Sequence, residues 1–383
     1  MTPAARVQAA IEVLDQWLGG QPVEKALINW GRSNRYAGSG DRAAVRDLVF
    51  DAVRCKLSFA SQGGALSGRG LMLGRARALG VDPLFTGGPH APAPLGDEGG
   101  SPPQGLAALD CPEDLAPALQ AALGPDFAPV MTALQSRAPV FLRVNLLKST
   151  RDAAQASLAA DGVLTEPHIL ADTALIVTQN PRKVSASKAY AEGLVELQDA
   201  ASQAVVQALP PLKGLNVLDY CAGGGGKTLA MAALRPARLV AHDANAARLS
   251  DLPERAKRAG AKVQLTETAK LPTVAPFDLI LTDVPCSGSG AWRRQPEAKW
   301  ALTLEKLASL VALQAEILDK VATMVAPGGA LAYATCSLLN AENQDQATAF
   351  VQRHPQFALE RQLRLTPLDG GDGFFLALFR HKT

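Results

Sequence analysis

Leu215-Asn-Val-Leu-Asp-Tyr-Cys-Ala-Gly-Gly-Gly-Gly-Lys-Thr228 is the stretch on which the fold of this chain turns. An apolar, β-favouring run ends at Asp219, four glycines follow from Gly223 to Gly226, and a helix-compatible segment begins at Lys227. Strand, glycine turn and helix start together let backbone N–H groups approach a ligand closely. A nucleoside triphosphate, a dinucleotide or S-adenosylmethionine could occupy such a turn. A P-loop needs glycine six residues before the lysine, where this chain has Cys221. The dinucleotide fingerprint, begun at Gly223 and Gly225, needs its third glycine where Thr228 stands. A second strand, Arg238 to Asp243, also ends in an acid. That arrangement suits a cofactor with a ribose and an amino-acid tail, with Asp243 accepting from the ribose hydroxyls.

Downstream, candidate strands (217–220, 238–242, 262–265, 277–283, 330–335 and 374–380) alternate with helical patterns. This alternation predicts an α/β, Rossmann-like, doubly wound and mostly parallel sheet, with ligands beyond the carboxyl ends of its strands. Two cysteines fall on that rim. Phe277–Asp283 runs into Val284-Pro-Cys286-Ser-Gly-Ser-Gly290, and Ala330–Thr335 runs into Cys336-Ser337. A thiolate adding to carbon 6 of a pyrimidine makes carbon 5 nucleophilic. A free thiol, of pKa about 8.5, needs a nearby positive charge to ionise readily. A carboxyl group near the ring's N3 could donate a proton and hold the base in place.

A chain of 383 residues, 48% hydrophobic and 19% charged, is expected to hold two or three domains. No apolar run reaches the ~18 residues of a membrane span, and no signal-peptide core is present, so a cytoplasmic protein is expected. Five cysteines, none spaced Cys-x-x-Cys, argue against a disulfide framework or a zinc cage, and no metal is expected. Residues 4–60 read as helices, with Arg32, Arg35, Arg42, Arg46 and Arg54 either a phosphate-gripping flank or a solvated face balanced by Asp41, Asp47 and Asp51. Thr86 to Gln104 reads as a loop, placing a boundary near residue 110. Two helices (112–123 and 127–135) and a small α/β unit at about 138–190 follow. The expected domains are 1–110, 111–192 and 193–383.

The motifs Asp219-Tyr-Cys-Ala-Gly-Gly-Gly-Gly-Lys-Thr, Asp283-Val-Pro-Cys-Ser-Gly-Ser-Gly, Trp292-Arg-Arg-Gln-Pro-Glu-Ala-Lys-Trp and Tyr333-Ala-Thr-Cys-Ser resemble those of the Nop/Sun (Fmu/RsmB-type) RNA cytosine-5 methyltransferases. Gln198-Asp-Ala-Ala-Ser202, Glu342-Asn343 and Gly371-Asp-Gly-Phe-Phe375 match as well, so the resemblance covers roughly residues 110–383. It implies a class I methyltransferase domain, with S-adenosylmethionine as cofactor and RNA as substrate. Small-subunit ribosomal RNA is the expected target, with transfer RNA, or a non-catalytic RNA-binding or ribosome-assembly role, as alternatives; a monomer is expected.

The resemblance also assigns roles. Cys336 is the nucleophile, Cys286 assists release of the methylated base, and Asp283 lies near both cofactor and base. A Pro-Cys cysteine is the nucleophile in DNA cytosine-5 methyltransferases, so Cys286 is the competing assignment. Cys221, Ala222, Gly223, Gly224, Gly225, Gly226, Lys227, Asp243, Arg248 and Glu267 would line the cofactor site. Arg143, Asn145, Lys148, Arg293 and Arg294 would meet RNA, the first three from an RNA-binding insert. Residues 1–110 resemble a NusB-like helical domain. Trp292 and Trp300 read equally as core residues or as base-stacking platforms. Where the family usually has Ala-Pro, this chain has Gly223-Gly224, and each added glycine costs about 0.5–1 kcal/mol to order.

Overall fold

The computed structural model describes residues 1–383 and divides into two compact units. One comprises residues 1–137 with 292–303, and the other residues 138–291 with 304–383. The first unit therefore takes in residues 111–137 as well as the expected helical region.

That first unit is helical. Its longer helices are Pro3–Leu18, Val23–Ser33, Ser39–Arg54, Lys56–Gly63, Gly68–Leu79, Ala116–Leu123 and Phe127–Leu134. The first begins where Thr2 accepts from the Ala5 N–H with proline at the next position, and stops at Gly19. Val13, Leu14, Val45, Val49, Val53 and Leu71 are buried at its centre. Residues 80–104 form no helix or strand, as their Gly and Pro content predicts.

The segment 292–303 carries a short helix, Pro296–Ala301, which closes helix ends in this unit. A helix leaves its last carbonyls without intrahelical partners. At the end of Ser39–Arg54, the Val53 carbonyl accepts from Trp300 Nε1 (2.7 Å) and the Arg54 carbonyl from Lys299 Nζ (2.9 Å). Arg54 Nε in turn donates to the Arg293 carbonyl (2.8 Å). The next helix, Lys56–Gly63, opens onto Asp110, whose carboxylate accepts from the N–H groups of Leu57 (2.7 Å) and Ser58 (3.0 Å). Burial pushes the Lys299 amine down to about 8, with Asp110 the largest opposing influence. Trp292 is buried and Trp300 packs against the helical core, so both are core residues here.

The second unit holds two sheets. The smaller has strands β1 (Phe141–Val144), β2 (Leu164–Pro167), β3 (Ala174–Gln179) and β4 (Val195–Leu197), all antiparallel in the order β2-β3-β1-β4. Helix Arg151–Ala160, capped by Thr150, covers it, burying Leu158 with Leu142, Val144, Leu175 and Val195.

The larger sheet comprises β5 (Asn216–Asp219), β6 (Arg238–Ala241), β7 (Gln264–Leu265), β8 (Phe277–Asp283), β9 (Val325–Thr335), β10 (Phe357–Leu365) and β11 (Phe374–His381). Its order is β10-β11-β9-β8-β5-β6-β7, parallel from β9 to β7, with β11 antiparallel to both β9 and β10. Strand residues alternate between two cores. Leu279, Leu281 and Ala332 face helices Ala200–Gln207 and Gly226–Ala232, while Ile280, Leu331 and Tyr333 face Leu304–Ala322 and Gln344–Arg353. A sheet covered on both faces reads as near-continuous apolar strands, and Leu-Ile-Leu in β8 is such a run. The chain order reverses between β5 and β8, so a crevice opens at their carboxyl ends. Asp219 and Asp283 end those two strands.

Candidate active site

The glycine turn is held from several sides. Gly223 (φ +51°) and Gly225 (φ +82°) occupy left-handed backbone that other residues adopt only with strain. The Gly225 N–H closes the turn onto the Ala222 carbonyl (2.8 Å), and the Ala222 N–H donates to the His242 carbonyl (2.9 Å). Asp243 Oδ2 accepts from the Gly223 N–H (2.9 Å), so the acid after β6 pins the turn. Two arginines hold its carbonyls: Arg255 that of Gly224, and Arg143, from β1, that of Gly226 (2.6 Å). Arg255 is itself fixed by buried Glu196 (3.0 Å), which also pairs with Arg258. These contacts supply stiffness that the missing proline would have given.

Near the turn three aspartates stand with two cations. Asp219 Oδ2 accepts from the Thr228 hydroxyl (2.6 Å), while its Oδ1 is buried with no partner. Burial pushes this carboxyl up to about 7, against the Thr228 hydrogen bond. Lys227 Nζ is buried 2.6 Å from Asp283 Oδ2 and stands 4.7 Å from the Phe374 ring centre. Burial works against the Lys227 charge, but Asp283 outweighs it and holds the ammonium above its ordinary range. Arg248 lies 3.5 Å from Asp243 Oδ2. The orphaned Asp219 oxygen, at the end of β5 beside the glycine turn, suits a ligand that brings positive charge. On that ground these residues fit S-adenosylmethionine.

The two thiols meet. Cys286 Sγ and Cys336 Sγ are 3.4 Å apart, both half-buried, at the ends of the neighbouring parallel strands β8 and β9. The hydrogen bond to Cys336, then burial, pushes the Cys286 thiol well above its ordinary value. Either sulfur can donate its S–H across this contact. Burial raises the Cys221 thiol too.

Other expected residues have different commitments. Glu267 follows β7 with its side chain 74% exposed, 3.5 Å from Lys270. The expected basic surface does not form from the insert as anticipated. Arg143 is 4% exposed and committed to Gly226 and Gln198, and burial lowers its pKa to about 10. Asn145 is buried between the carbonyls of Gly193 (2.9 Å) and Ala259 (2.8 Å). Lys148 is exposed but donates to the carbonyls of Glu192 (2.9 Å) and Arg258 (2.6 Å). All three join the small sheet to the cofactor-side elements. Arg293 is buried in the helical unit, and Arg294 is exposed there.

The sequence reading quoted Ser287, Ser289, Ser337 and Glu342 within motifs but gave them no role; with Gln314 they form a buried polar cluster beside the thiols. Glu342, Ser287, Ser289, Ser337 and Gln314 are nearly or fully inaccessible and mutually hydrogen-bonded. The signal was the repeated Ser-Gly after Cys286, whose serines have no reason to recur in an ordinary loop.

A family model described as 16S rRNA methyltransferase RsmB/F matches residues 206–380, and an RsmF/B-like ferredoxin-like domain model matches residues 111–185. The chain is 38% identical over 273 residues to ribosomal RNA small subunit methyltransferase B of Salmonella arizonae, across 68% of this chain and 63% of that protein. The same figures describe the protein of that name from Salmonella typhi, so the match spans 63% of these relatives' length. Among solved structures, a methyltransferase homolog from Pyrococcus horikoshii aligns with TM-score 0.64 and 25% identity, covering 72% of this chain and 97% of that one. NSun6 from Pyrococcus horikoshii with SFG aligns with TM-score 0.63 and 20% identity, covering 71% and 98%, a likeness of fold. With both domain models matched in order and the motif cysteines facing each other, the chain belongs to the Nop/Sun (RsmB/F-type) methyltransferase family.

Proposed function

We propose that this protein transfers a methyl group from S-adenosylmethionine to carbon 5 of a cytosine in RNA, with small-subunit ribosomal RNA as substrate. The observation carrying the proposal is the pair of thiols 3.4 Å apart beside a carboxylate–ammonium pair. A methyltransferase acting on oxygen or nitrogen has no use for two facing thiols. The ribosomal choice follows the relatives, which are named as small-subunit ribosomal RNA methyltransferases.

The cofactor supplies an electrophilic methyl group. Asp219, Asp243 and the glycine turn would hold it, and Asp283 with Lys227 would orient the cytosine's N3 edge. Cys336 thiolate attacks carbon 6, forming an S–C6 bond and moving the ring's electron pair to carbon 5, where the methyl group is received. A proton from the Lys227–Asp283 pair meets the charge arriving at N3. Once alkylated, Cys336 no longer accepts the hydrogen bond that most raises the Cys286 pKa. Cys286 then releases its proton to solvent and, as thiolate, takes the carbon 5 proton while the S–C6 bond breaks. N3 returns its proton, Cys336 leaves as thiolate, and the pair is restored with one proton released. Because a stacked cytosine hides carbon 6 from any side chain, the target must be flipped out or lie in a loop.

The test is a pair of variants incubated with RNA and cofactor. Cys286→Ala should accumulate a protein–RNA adduct that survives denaturation, and Cys336→Ala should form no adduct and no product. Turnover by Cys336→Ala would end the nucleophile assignment. Bisulfite mapping of small-subunit ribosomal RNA, from cells with and without the protein, tests the substrate. An unchanged map there, with a changed one in transfer RNA, would move the substrate.

A further inference from the structure

We infer that Glu342 is a positioning residue that sets the separation of the two thiols, by fastening the loops after Cys286 and Cys336 to one buried carboxylate. The inference rests on the two-thiol reading above.

A carboxylate accepts only, at about four lone-pair positions. Four neutral donors fill them. Oε1 takes the Ser287 N–H (2.7 Å) and Gln314 Nε2 (3.0 Å). Oε2 takes the hydroxyls of Ser287 and Ser337. Ser287 directly follows Cys286 and Ser337 directly follows Cys336, so each loop is tied one residue past its sulfur.

Further bonds stop the two loops from sliding. The Leu338 N–H donates across to Ser289 Oγ (2.8 Å). The Gly290 N–H donates to the carbonyl of Cys336 itself (2.9 Å). Glu342 is held from behind, its carbonyl accepting from the Tyr333 hydroxyl (2.6 Å). Gln314 joins the same brace to the Pro285 carbonyl (2.9 Å). With Glu342 and Gln314 both fully buried, these bonds are shielded from water and stronger for it.

Two thiols that exchange a proton need a fixed gap, and a strand end alone does not provide one. The carboxylate makes the gap a property of a packed network, while both cysteines stay half-buried. Glu342 touches neither sulfur, so its effect passes through the serines.

Glu342→Gln tests this, because it keeps the volume and replaces one acceptor oxygen with a donor. The readout is closure of a Cys286–Cys336 disulfide by diamide, which takes up two electrons and two protons, followed by peptide mass mapping of the full chain. Closure needs neither RNA nor cofactor. In Glu342→Gln it should slow by about tenfold or more, as oriented neighbours lose their geometric advantage. Methyl transfer should fall with it in kcat, while the cofactor affinity holds. The double variant Ser287→Ala/Ser337→Ala removes the two hydroxyl ties and should slow closure equally, which keeps the test usable if Glu342→Gln fails to fold. Closure as fast as in the unmodified protein, in either variant, overturns the inference and leaves the thiol chemistry standing. Slow closure combined with full methyl transfer by Cys286→Ala and Cys336→Ala upholds the spacing role and overturns the chemistry beneath it.

Discussion

Replacing Asp219 with asparagine should remove a specific pH dependence from the stability of the sheet-bearing unit. The carboxyl is 1% exposed, Thr228 satisfies one oxygen, and the other has no partner. Burial raises it from 3.8 to about 7. Between those values the folded protein keeps a proton that the unfolded chain has released. The stabilisation is therefore complete below about pH 4 and is lost as the pH rises through about 7. At 1.36 kcal/mol per pH unit for one proton, the span of roughly three units amounts to about 4 kcal/mol. Asparagine does not titrate, so the Asp219→Asn variant should gain on the parent protein by about that amount across this range. All four tryptophans (Trp17, Trp30, Trp292 and Trp300) lie in the helical unit, so their fluorescence would miss the effect. Urea titrations read by hydrogen exchange in peptides covering β5 would register it. Parallel curves for the two proteins from about pH 4 to 7 would refute the reasoning. A cationic cofactor, binding near neutral pH, should also expel this proton. The heat of binding should then depend on the buffer's ionisation enthalpy, and should cease to do so in Asp219→Asn.

Lys299 has the opposite sign: its amine falls to about 8 on burial, so the unfolded chain binds the extra proton between about 8 and 10.5, and stability rises over that interval. Tryptophan fluorescence during urea unfolding should show the rise, and Lys299→Met should flatten it. Arg255→Met frees the Gly224 carbonyl and two turn glycines, worth about 1–2 kcal/mol in ordering. Calorimetry should show S-adenosylmethionine affinity about tenfold weaker, with kcat at saturating cofactor little changed. Gly290→Ala places a methyl group 2.3 Å from the Gly373 carbonyl oxygen, backbone against backbone. Such overpacking costs about 1–3 kcal/mol, visible as a lower melting temperature, and it should separate the thiol loops enough to stop turnover.

The larger sheet was legible because both its faces are apolar, so strands such as Phe277–Asp283 announce themselves as continuous hydrophobic runs. β10 was not, because it is an edge strand with Glu360, Arg361 and Arg364 exposed or half-exposed, and charge on an edge is how sheets avoid pairing with other chains. β4, three residues long, gives too little pattern to read. The motif residues also explain which side chains were misplaced. Arg143 and Asn145 look like RNA ligands in a string of letters, since a guanidinium carries no mark of whether it will meet phosphate or a backbone carbonyl.

Local features follow from the sequence unaided: periodicity sets strand and helix, and a glycine turn or a Pro-Cys motif sets which residues end a strand. Every relation across chain distance waits for the folded molecule. Fifty residues separate Cys286 from Cys336, and only the parallel pairing of β8 with β9 brings their sulfurs within 3.4 Å. Glu342 stands in the sequence as half of a matching Glu-Asn pair with no role of its own, and becomes the meeting point of two loops only after folding. Burial and hydrogen-bond partnership depend on neighbours that the chain has yet to assemble.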